Sequence, residues 1–367
     1  MKHLFYTTFI FLLFLGTVQA AERSAVITLW HGDWVRSAAF SPDGKKVITA
    51  SDDLTACVWD AETGRKLHTL GGHADWVMQA GFSPDGKKIV TISDDNVLLI
   101  WDAESGKELH MLEDHALHGG QTVAFSPDSK KVALASGKET AQVLAPDSGK
   151  VLLALTAETE YWLAVAFSPD GKKIVTTSDE GTVHFWDADT GKELQKSIGH
   201  TDWIRGLSFS TDGKKIVTAS DDETARIWDV ETGKELQTLQ GHTRWVRFAV
   251  FTPDGKKVVT ACDETTFRVW DADTGKQLHK LTLWLGWGAN LLPEISEICS
   301  GTVSPDGTKI AVGKMSGAIQ IVETDTGRIV RTLVGHTDWV RSIRFSPDGK
   351  RIVTASDDET ARIWTLE

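Results

Sequence analysis

The chain has 367 residues, of which 41% are hydrophobic and 25% are charged, and its formal net charge is −12 at pH 7. This composition is typical of a soluble globular protein. The negative balance argues against a nucleic-acid partner, for which a basic stripe would be expected.

The first 20 residues differ from everything that follows. Lys2 gives a short positive segment, residues 4–15 form an apolar run, and Ala20 ends a stretch of small residues before Ala21. These three parts predict a secretory signal peptide that is cleaved after Ala20, and hence a secreted or periplasmic protein. The alternative is an uncleaved membrane anchor, but the run is shorter than the ~20 residues of a spanning helix. No membrane span is therefore expected after the signal is removed.

One pattern recurs along the rest of the chain, and its marker is a turn of the type Ser-Pro-Asp-Gly-Lys-Lys. The second residue of this turn falls at Pro42, Pro84, Pro127, Pro169, Thr211, Pro253, Pro305 and Pro347. Six of the seven intervals are 42 or 43 residues and one is 52. A fixed period of about 40–45 residues is typical of a propeller array.

The clearest copy of the pattern, residues 199–240, predicts four short strands. Apolar alternation and β-branched runs separated by Asp, Ser, Thr and Gly turns place these strands at 204–210, 215–219, 225–229 and 235–239. Strands this short and evenly spaced predict one four-stranded antiparallel sheet for each repeat.

Eight repeats follow one another without a linker. Their approximate bounds are 31–71, 72–113, 114–155, 156–198, 199–240, 241–282, 283–334 and 335–367. The third and the seventh are the most degenerate, since Leu144-Ala145 and Val322-Glu323 stand where the other repeats carry Trp followed by a polar residue. Because no linker interrupts the period, residues 21–367 are expected to form one domain.

The repeat resembles that of the WD-repeat β-propeller family, and specifically a bacterial-type secreted member. The resemblance rests on Gly199-His200 and on Trp228 followed by Asp229, and it covers nearly all of the chain after residue 23. In that family a hydrogen-bond network ties each blade together. The resemblance implies that the network here consists of His200, Thr218, Asp222 and Trp228. We interpret these four residues as structural, because a buried His, Thr and indole N–H each need a hydrogen-bond partner.

Closure of the ring is predicted from the two ends of the repeat array. Residues 24–30 read as a fourth strand with no first three strands before it, and the chain stops just after a third strand. Placing the first strand in the last blade closes the ring and removes an exposed sheet edge. The predicted fold is therefore all-β, a single eight-bladed propeller closed by an N-terminal strand that completes the C-terminal blade.

Little in the sequence points to catalysis. We find no glycine-rich phosphate loop, HxxxH or CxxC spacing, and therefore expect no cofactor and no metal site. Paired aspartates recur in one turn, for example Asp221-Asp222; the second is assigned to the blade network and the first to a turn cap. The turn at 187–192 superficially resembles that of eight-bladed quinoprotein enzymes, but the Trp precedes the turn here instead of following it. We therefore expect no enzyme.

The three cysteines are Cys57, Cys262 and Cys299. At most one disulfide can form within the chain, and Cys262 with Cys299 is the plausible pair because both align to one face of neighbouring blades. The alternative is three buried thiols that behave as small apolar residues.

The residues expected to bind a partner lie three and five positions after the repeat His. Aromatic residues occupy the first position, namely Trp34, Trp76, Tyr161, Trp203, Trp245 and Trp339, and arginines the second, namely Arg36, Arg205, Arg247 and Arg341. By resemblance to the family, they rim the face that binds partners, and Trp and Arg are the residues of interface hot spots. The alternative is that the Trp rings pack between blades and the arginines pair with the Asp turns.

The interval before the seventh repeat is ten residues longer than the usual 42, and its segment 283–293, with Trp284 and Trp287, is expected on the same face. It would contact a partner or plug the channel, since exposed apolar loops are costly unless covered.

These observations favour a non-catalytic, monomeric interaction scaffold of the cell envelope or secreted space. Its partner would be a protein or peptide, and the arginines would attract an acidic or polar segment. Two alternatives remain, a small-ligand or glycan binder that uses the same Trp residues and a quinoprotein-like propeller enzyme.

Overall fold

The computed structural model describes residues 26–95, 97–113, 122–135, 140–157, 161–262, 266–282 and 298–366. Within these ranges the chain forms 32 strands and no helix. The signal-peptide prediction and the insertion with Trp284 and Trp287 lie outside the described residues.

The strands are numbered in chain order. A single strand, β1 (Val26–Trp30), precedes the first blade. Blade 1 contains β2 (Val35–Phe40), β3 (Lys46–Ser51), β4 (Thr55–Asp60) and β5 (Lys66–Gly71). Blade 2 contains β6 (Val77–Phe82), β7 (Lys88–Ser93), β8 (Val97–Asp102) and β9 (Glu108–Glu113). Blade 3 contains β10 (Thr122–Phe125), β11 (Val132–Ala135), β12 (Thr140–Ala145) and β13 (Lys150–Thr156). Blade 4 contains β14 (Trp162–Phe167), β15 (Lys173–Ser178), β16 (Thr182–Asp187) and β17 (Glu193–Ile198).

The second half of the ring repeats this arrangement. Blade 5 contains β18 (Ile204–Phe209), β19 (Lys215–Ser220), β20 (Ala225–Asp229) and β21 (Glu235–Leu239). Blade 6 contains β22 (Val246–Phe251), β23 (Lys257–Cys262), β24 (Thr266–Asp271) and β25 (Gln277–Thr282). Blade 7 contains β26 (Ile298–Val303), β27 (Lys309–Lys314), β28 (Ile319–Glu323) and β29 (Ile329–Leu333). Blade 8 contains β30 (Val340–Phe345), β31 (Arg351–Ser356) and β32 (Thr360–Thr365).

The eight sheets stand side by side in a closed ring. Each sheet is a four-stranded antiparallel meander, and the first strand of a blade contacts the first strand of its neighbours, as β14 contacts β18 and β18 contacts β22. The contact between β2 and β30 joins the last blade to the first. The first strands therefore surround a central channel, and the predicted all-β, eight-bladed propeller is confirmed.

The ring closes through the N-terminal strand, as predicted. β1 pairs with β32 in antiparallel register from Val26 opposite Trp364 to Trp30 opposite Thr360. The side chain of Leu29 is fully buried in a cluster that also contains Val47 of blade 1 and Ile363 of blade 8. Both ends of the described chain thus contribute to one blade and to the seam beside it.

The core consists of apolar layers between neighbouring blades. In one layer Ile48 and Leu70 of blade 1 pack with Ile89 and Trp101 of blade 2. Alternate side chains of a strand point to opposite sides of its sheet, so every blade contributes to two such layers. Cys57 and Cys262 are both buried, whereas the Cys299 side chain lies outside the described residues, so the disulfide stays a prediction.

Candidate interaction face

The blade network of the clearest repeat is a chain of hydrogen bonds. Trp228 Nε1 donates to Thr218 Oγ1 at 2.9 Å, Thr218 Oγ1 lies 2.7 Å from His200 Nε2, and His200 Nδ1 lies 2.7 Å from Asp222 Oδ2. A neutral imidazole with its proton on Nδ1 satisfies all three contacts. The structure thus brings together the four residues assigned to this network.

Burial sets the protonation state of this network. Burial lowers the pKa of His200 against the opposing effect of the Asp222 hydrogen bond. Burial opposes ionisation of Asp222, but the hydrogen bonds from His200, Thr224 and the Thr201 N–H outweigh it and hold the pKa of that carboxyl well below its usual range. The pair is therefore a neutral imidazole beside a carboxylate.

Other blades keep the network or replace one member. His31 and His336 make the same contacts as His200, each with the Thr and Asp of its own blade. In blade 2, Ser93 Oγ stands between His73 Nδ1, at 2.7 Å, and the Asp95 carboxylate. In blade 6, burial lowers the pKa of His242 to about 3, and its Nδ1 has no hydrogen-bond partner among the described residues. These hydrogen bonds join the strands within each blade.

A β-bulge at the start of the first strand of blades 1, 5, 6 and 8 positions the arginines predicted to bind a partner. The pairing of β18 with β19 shifts register between Ile204 and Gly206, so Arg205 is the extra residue. The same shift occurs around Arg36, Arg247 and Arg341. A bulge turns one side chain out of the regular alternation, and here it directs an arginine toward the mouth of the channel.

Each bulge arginine of blades 1, 5 and 8 forms a two-pronged ion pair with the first Asp of the paired aspartates. Arg36 Nε and Nη2 donate to the two carboxylate oxygens of Asp52 at 2.7 and 2.6 Å. Arg205 pairs with Asp221 and Arg341 with Asp357 in the same way. The hydrogen bonds that Arg36 donates to the Asp52 carboxylate raise the pKa of Arg36. The first Asp is therefore the partner of an arginine and not a turn cap.

The tryptophans lie beside these pairs with their rings open to solvent. Trp34, Trp76, Trp203 and Trp245 are 40–47% exposed, and Trp339 is half-buried. The Arg205 guanidinium carbon lies 4.4 Å from the centre of the Trp203 ring, and Arg247 lies 4.6 Å from that of Trp245. These distances are those of cation–π contacts. We call this surface, formed by the Trp and bulge Arg positions, the Trp/Arg face.

On blades 8, 1 and 2 the aromatic rings and guanidinium groups alternate without a break. Arg341 lies between Trp339, at 4.4 Å, and Trp34, at 5.8 Å. Arg36 lies between Trp34 and Trp76, at 5.2 Å from each ring centre. The result is a rigid row across three neighbouring blades. The arginines of blades 1, 5 and 8 thus pair with Asp, as one alternative raised by the sequence has it. The Trp rings remain open to solvent, and their contact with a partner stays a prediction.

The remaining predicted residues depart from this arrangement. Tyr161 is half-buried, and its backbone N–H donates to the Asp179 carboxylate at 3.1 Å. Blade 4 carries Leu163 where blades 1, 5, 6 and 8 carry the arginine. Arg247 Nη1 lies 3.9 Å from the Asp221 carboxylate of the preceding blade. Because Arg36, Arg205 and Arg341 are each paired with an aspartate, they do not offer an unmatched positive charge to an acidic partner.

A cavity of about 410 Å³ lies at the centre of the Trp/Arg face. It is lined by side chains of the first strands of six blades, so it is the mouth of the central channel. Arg344 on β30 lines it, where the equivalent residues are small, such as Ala39 and Ser208. Although the surface of Arg344 is open to the cavity, burial among the surrounding protein lowers the pKa of its guanidinium.

From the sequence, Asp52, Asp221 and Asp357 were predicted only to cap a turn, and the β-bulges were not predicted. The available signal was a constant spacing of 16 residues from each bulge arginine to its aspartate. The resemblance of the 187–192 turn to quinoprotein enzymes has a structural explanation, because the Asp187 carboxylate accepts hydrogen bonds from the N–H and hydroxyl of Thr190 and so closes its own turn.

Across the residues that the structure describes, no group of three or more His, Cys, Asp or Glu side chains is placed to hold a metal ion. In the same ranges no helix has the length and apolar character needed to cross a membrane.

The repeat matches a known family model, described as WD domain, G-beta repeat. The matches cover residues 24–60, 64–102, 149–187, 191–229, 233–271 and 327–365, which is more than half of the chain. These ranges leave out residues 103–148 and 272–326, which contain the two third strands without the Trp, at Leu144 and Val322.

Curated relatives match the chain only over single stretches. Nuclear distribution protein nudF 2 of Talaromyces marneffei is 44% identical over 57 residues, which are 16% of this chain and 12% of that protein. WD repeat-containing protein SL1-17 of Schistosoma mansoni is 41% identical over 61 residues, which are 17% of this chain and 20% of that protein. The matched stretches span one fifth or less of the length of these relatives.

The likeness to a solved structure extends over the whole ring. The crystal structure of the computationally designed Ika8 protein superposes with a TM-score of 0.78 at 27% identity, over 92% of this chain and 98% of that one. Together with the repeat matches and the blade networks, this likeness shows that the chain belongs to the WD-repeat family of β-propellers.

Proposed function

We propose that this chain is a non-catalytic scaffold that binds a protein or peptide partner through its Trp/Arg face. The observation that carries this proposal is the row of exposed Trp rings fixed by arginines that are themselves paired with Asp. Rigid aromatic and Arg side chains dominate binding energy, because little conformational freedom is lost when they are covered. WD-repeat propellers generally serve as protein-interaction scaffolds, which agrees with this use of the face.

The proposed place of action is the cell envelope or the secreted space, with the protein as a monomer. This part rests on the signal-peptide pattern of residues 1–20. We expect the exported protein to begin at Ala21, and intact-mass measurement checks this. A mass that still includes residues 1–20 would contradict it.

The test of the binding face replaces Trp203, Trp245 and Trp339 together by Ala. We expect capture of a partner from envelope extract to be lost, since each central anchor contributes about 2 kcal/mol or more where it is a hot spot. Quantitative capture on immobilised protein, followed by mass spectrometry, measures the loss. Thermal melting of the same variant should stay close to wild type, because these rings lie outside the blade networks.

A matched control changes three side chains on the opposite face. Lys130, Lys172 and Lys214 are exposed residues of the Ser-Pro-Asp-Gly turns or their equivalent, which follow the far ends of the first strands. Their joint replacement by Ala should leave capture unchanged. Capture that survives the Trp replacements would move the site away from this face, and collapse of the fold would assign the Trp rings to structure.

A small ligand or glycan on the same face is the second candidate, and the central cavity favours it. Its volume of about 410 Å³ lies within the range of small-molecule sites, roughly 300–1,000 Å³. If the triple Trp variant loses binding to a glycan array and its protein capture is unchanged, the small-ligand or glycan candidate is favoured.

A further inference from the structure

Three blades contain the same local unit, a bulge arginine held by an aspartate and stacked on a tryptophan. In blade 5, Arg205 donates two hydrogen bonds to Asp221 and lies over the Trp203 ring at 4.4 Å. The backbone N–H of Asp221 also donates to the Trp203 carbonyl at 2.9 Å, which fixes the carboxylate beside the indole. Blades 1 and 8 repeat each of these contacts.

Blade 2 keeps the framework of this unit but lacks its cation. The backbone N–H of Asp94 donates to the Trp76 carbonyl at 2.9 Å, as in the complete units. The bulge position, between Val77 and Gln79, is occupied by Met78. Asp94 is exposed, and no cation or hydrogen-bond donor of the described residues contacts its carboxylate. Trp76 is 45% exposed.

Blade 4 also lacks the arginine, but its aspartate is engaged in a hydrogen bond within the blade. Leu163 takes the bulge position there, and it is buried. The Asp179 carboxylate turns back to accept the N–H of Tyr161 at 3.1 Å, and Tyr161 replaces the tryptophan. Asp94 makes no such contact with its own turn. Blade 2 therefore presents an open carboxylate beside an exposed indole, whereas blade 4 does not.

The open position is accessible from solvent. Met78 and Asp94 both line the cavity of about 410 Å³ at the channel mouth. The cavity also contains Arg36 and Arg341, whose charges are matched by Asp52 and Asp357, and Arg344, which has no carboxylate within ion-pair distance among the described residues. Asp94 and Arg344 thus line one cavity as opposite charges that no other described residue matches.

We propose that blade 2 is a receptor for a guanidinium group, which an arginine side chain of the partner supplies. The inference rests on the proposed function for its partner, although the site itself can be tested without one. The incoming guanidinium would take the place that Arg205 occupies in blade 5, with two hydrogen bonds to Asp94 and its plane on Trp76. A lysine ammonium cannot make the planar two-pronged pair, so the site distinguishes arginine from lysine.

Arg344 adds a second requirement to the ligand. A bare cation entering the cavity meets this unmatched guanidinium, whereas a ligand that also carries a carboxylate offers it a counter-charge. A suitable probe is acetyl-Gly-Arg-Gly with a free carboxyl terminus. The matched control is the same peptide with citrulline, which keeps the shape of arginine and has no charge.

The test is a titration of the full-length protein with these peptides, followed by NMR of the tryptophan indole N–H signals. We expect the arginine peptide to shift the Trp76 signal and the citrulline peptide to leave it unchanged. Asp94→Asn should weaken binding at least about tenfold, as expected for loss of a charged hydrogen-bond acceptor.

A second variant fills the proposed guanidinium site of blade 2 with a side chain of the protein itself. Met78→Arg should supply the missing guanidinium in cis, as Arg36 does in blade 1, and abolish peptide binding, whereas Met78→Leu should preserve it. Equal shifts with arginine and citrulline, or binding that survives both Asp94→Asn and Met78→Arg, would overturn the proposal.

The outcomes also separate this inference from the proposed function. Partner capture that requires the Trp residues, without any arginine-peptide binding, would overturn the guanidinium site alone. Peptide binding that depends on Asp94, without partner capture, would leave the site standing and overturn the scaffold proposal.

Discussion

Thr218 shows how a single residue organises a blade. Its hydroxyl lies between the indole N–H of Trp228 and the Nε2 of His200, and the residue is completely buried. A hydroxyl can accept one hydrogen bond and donate another, so it joins a donor to an acceptor. The equivalent Thr in blades 1, 2, 6 and 8 makes the same two contacts. Removing it would leave two buried polar groups unpaired.

The buried histidines make stability dependent on pH. Burial lowers the pKa of His73, His200, His242 and His336 below the value of the unfolded chain. Well above pH 6.5 these histidines are neutral in both the folded and the unfolded chain. Below about pH 6.5 the unfolded chain binds more protons than the folded chain, so the free energy of unfolding decreases as the pH is lowered. We expect the free energy of unfolding to decrease between about pH 7 and pH 5, with about 2 kcal/mol of the loss from His242.

Urea denaturation at the two pH values measures this loss. The variant His242→Gln provides the control, because it cannot take up a proton at this position. It should be less stable than wild type near neutral pH but lose less stability on acidification. Parallel pH profiles for the two proteins would count against the neutral, buried state of His242.

For single residues, the sequence predicted which residues form the blade network but not which aspartate pairs with each bulge arginine. The network of His200, Thr218, Asp222 and Trp228 followed from the family motif. The bonds between each bulge arginine and its aspartate depend on a one-residue register shift, which alternation of residue types does not reveal. The sequence shows that the second repeat carries Met78 in place of the arginine. That Asp94 is the aspartate left without an arginine becomes evident only from the pairings in the structure.

Strands that lost the family motif still form regular blades. Blade 3 lacks the Trp of the third strand, yet β10 to β13 make a four-stranded sheet. Val132 and Leu134 pack with Ile92 of blade 2 on one side, and Ala133 packs with Trp186 of blade 4 on the other. Packing between blades thus compensates for a missing network, which explains why the period predicted the strands of this degenerate repeat.

The strand β1 has a testable role in closure. Deleting residues 24–30 removes five residue pairs along β32 and exposes the edge of that strand. We expect a lower melting temperature and aggregation, because an unpaired edge recruits other chains. Calorimetry and light scattering of the deletion variant provide the measurement.

Two point variants refine the test of closure. Leu29→Ala, at a fully buried site, should cost about 2–5 kcal/mol, whereas Trp30→Ala, at a side chain that is 63% exposed, should have little effect. A deletion variant that stays monomeric with unchanged melting would show that β1 is dispensable.

At the scale of the whole molecule, ion pairs join each of blades 1 to 6 to the blade that follows it. Lys46 pairs with Glu104 of the following blade at 2.8 Å, and Lys173 with Glu231 at 2.7 Å. Similar pairs lie between other neighbouring blades, and the carboxylates are largely exposed, so each pair contributes little by itself. At the closing seam Arg351 takes this role and donates to the carbonyls of Ala61 and Gly44. Such contacts depend on how blades meet, which local sequence patterns do not predict.

The antiparallel pairing of β1 with β32 also determines how the ring would respond to a mechanical load. Val26 and Trp364 face each other at the same end of this pair. A force applied through handles placed before Val26 and after Thr365 would peel the two strands apart from that end, one residue pair after another. The load would then fall on few hydrogen bonds at a time, instead of shearing all of them together. The seam that closes the ring in solution is therefore the place where a pulling device would open it first, like a zipper.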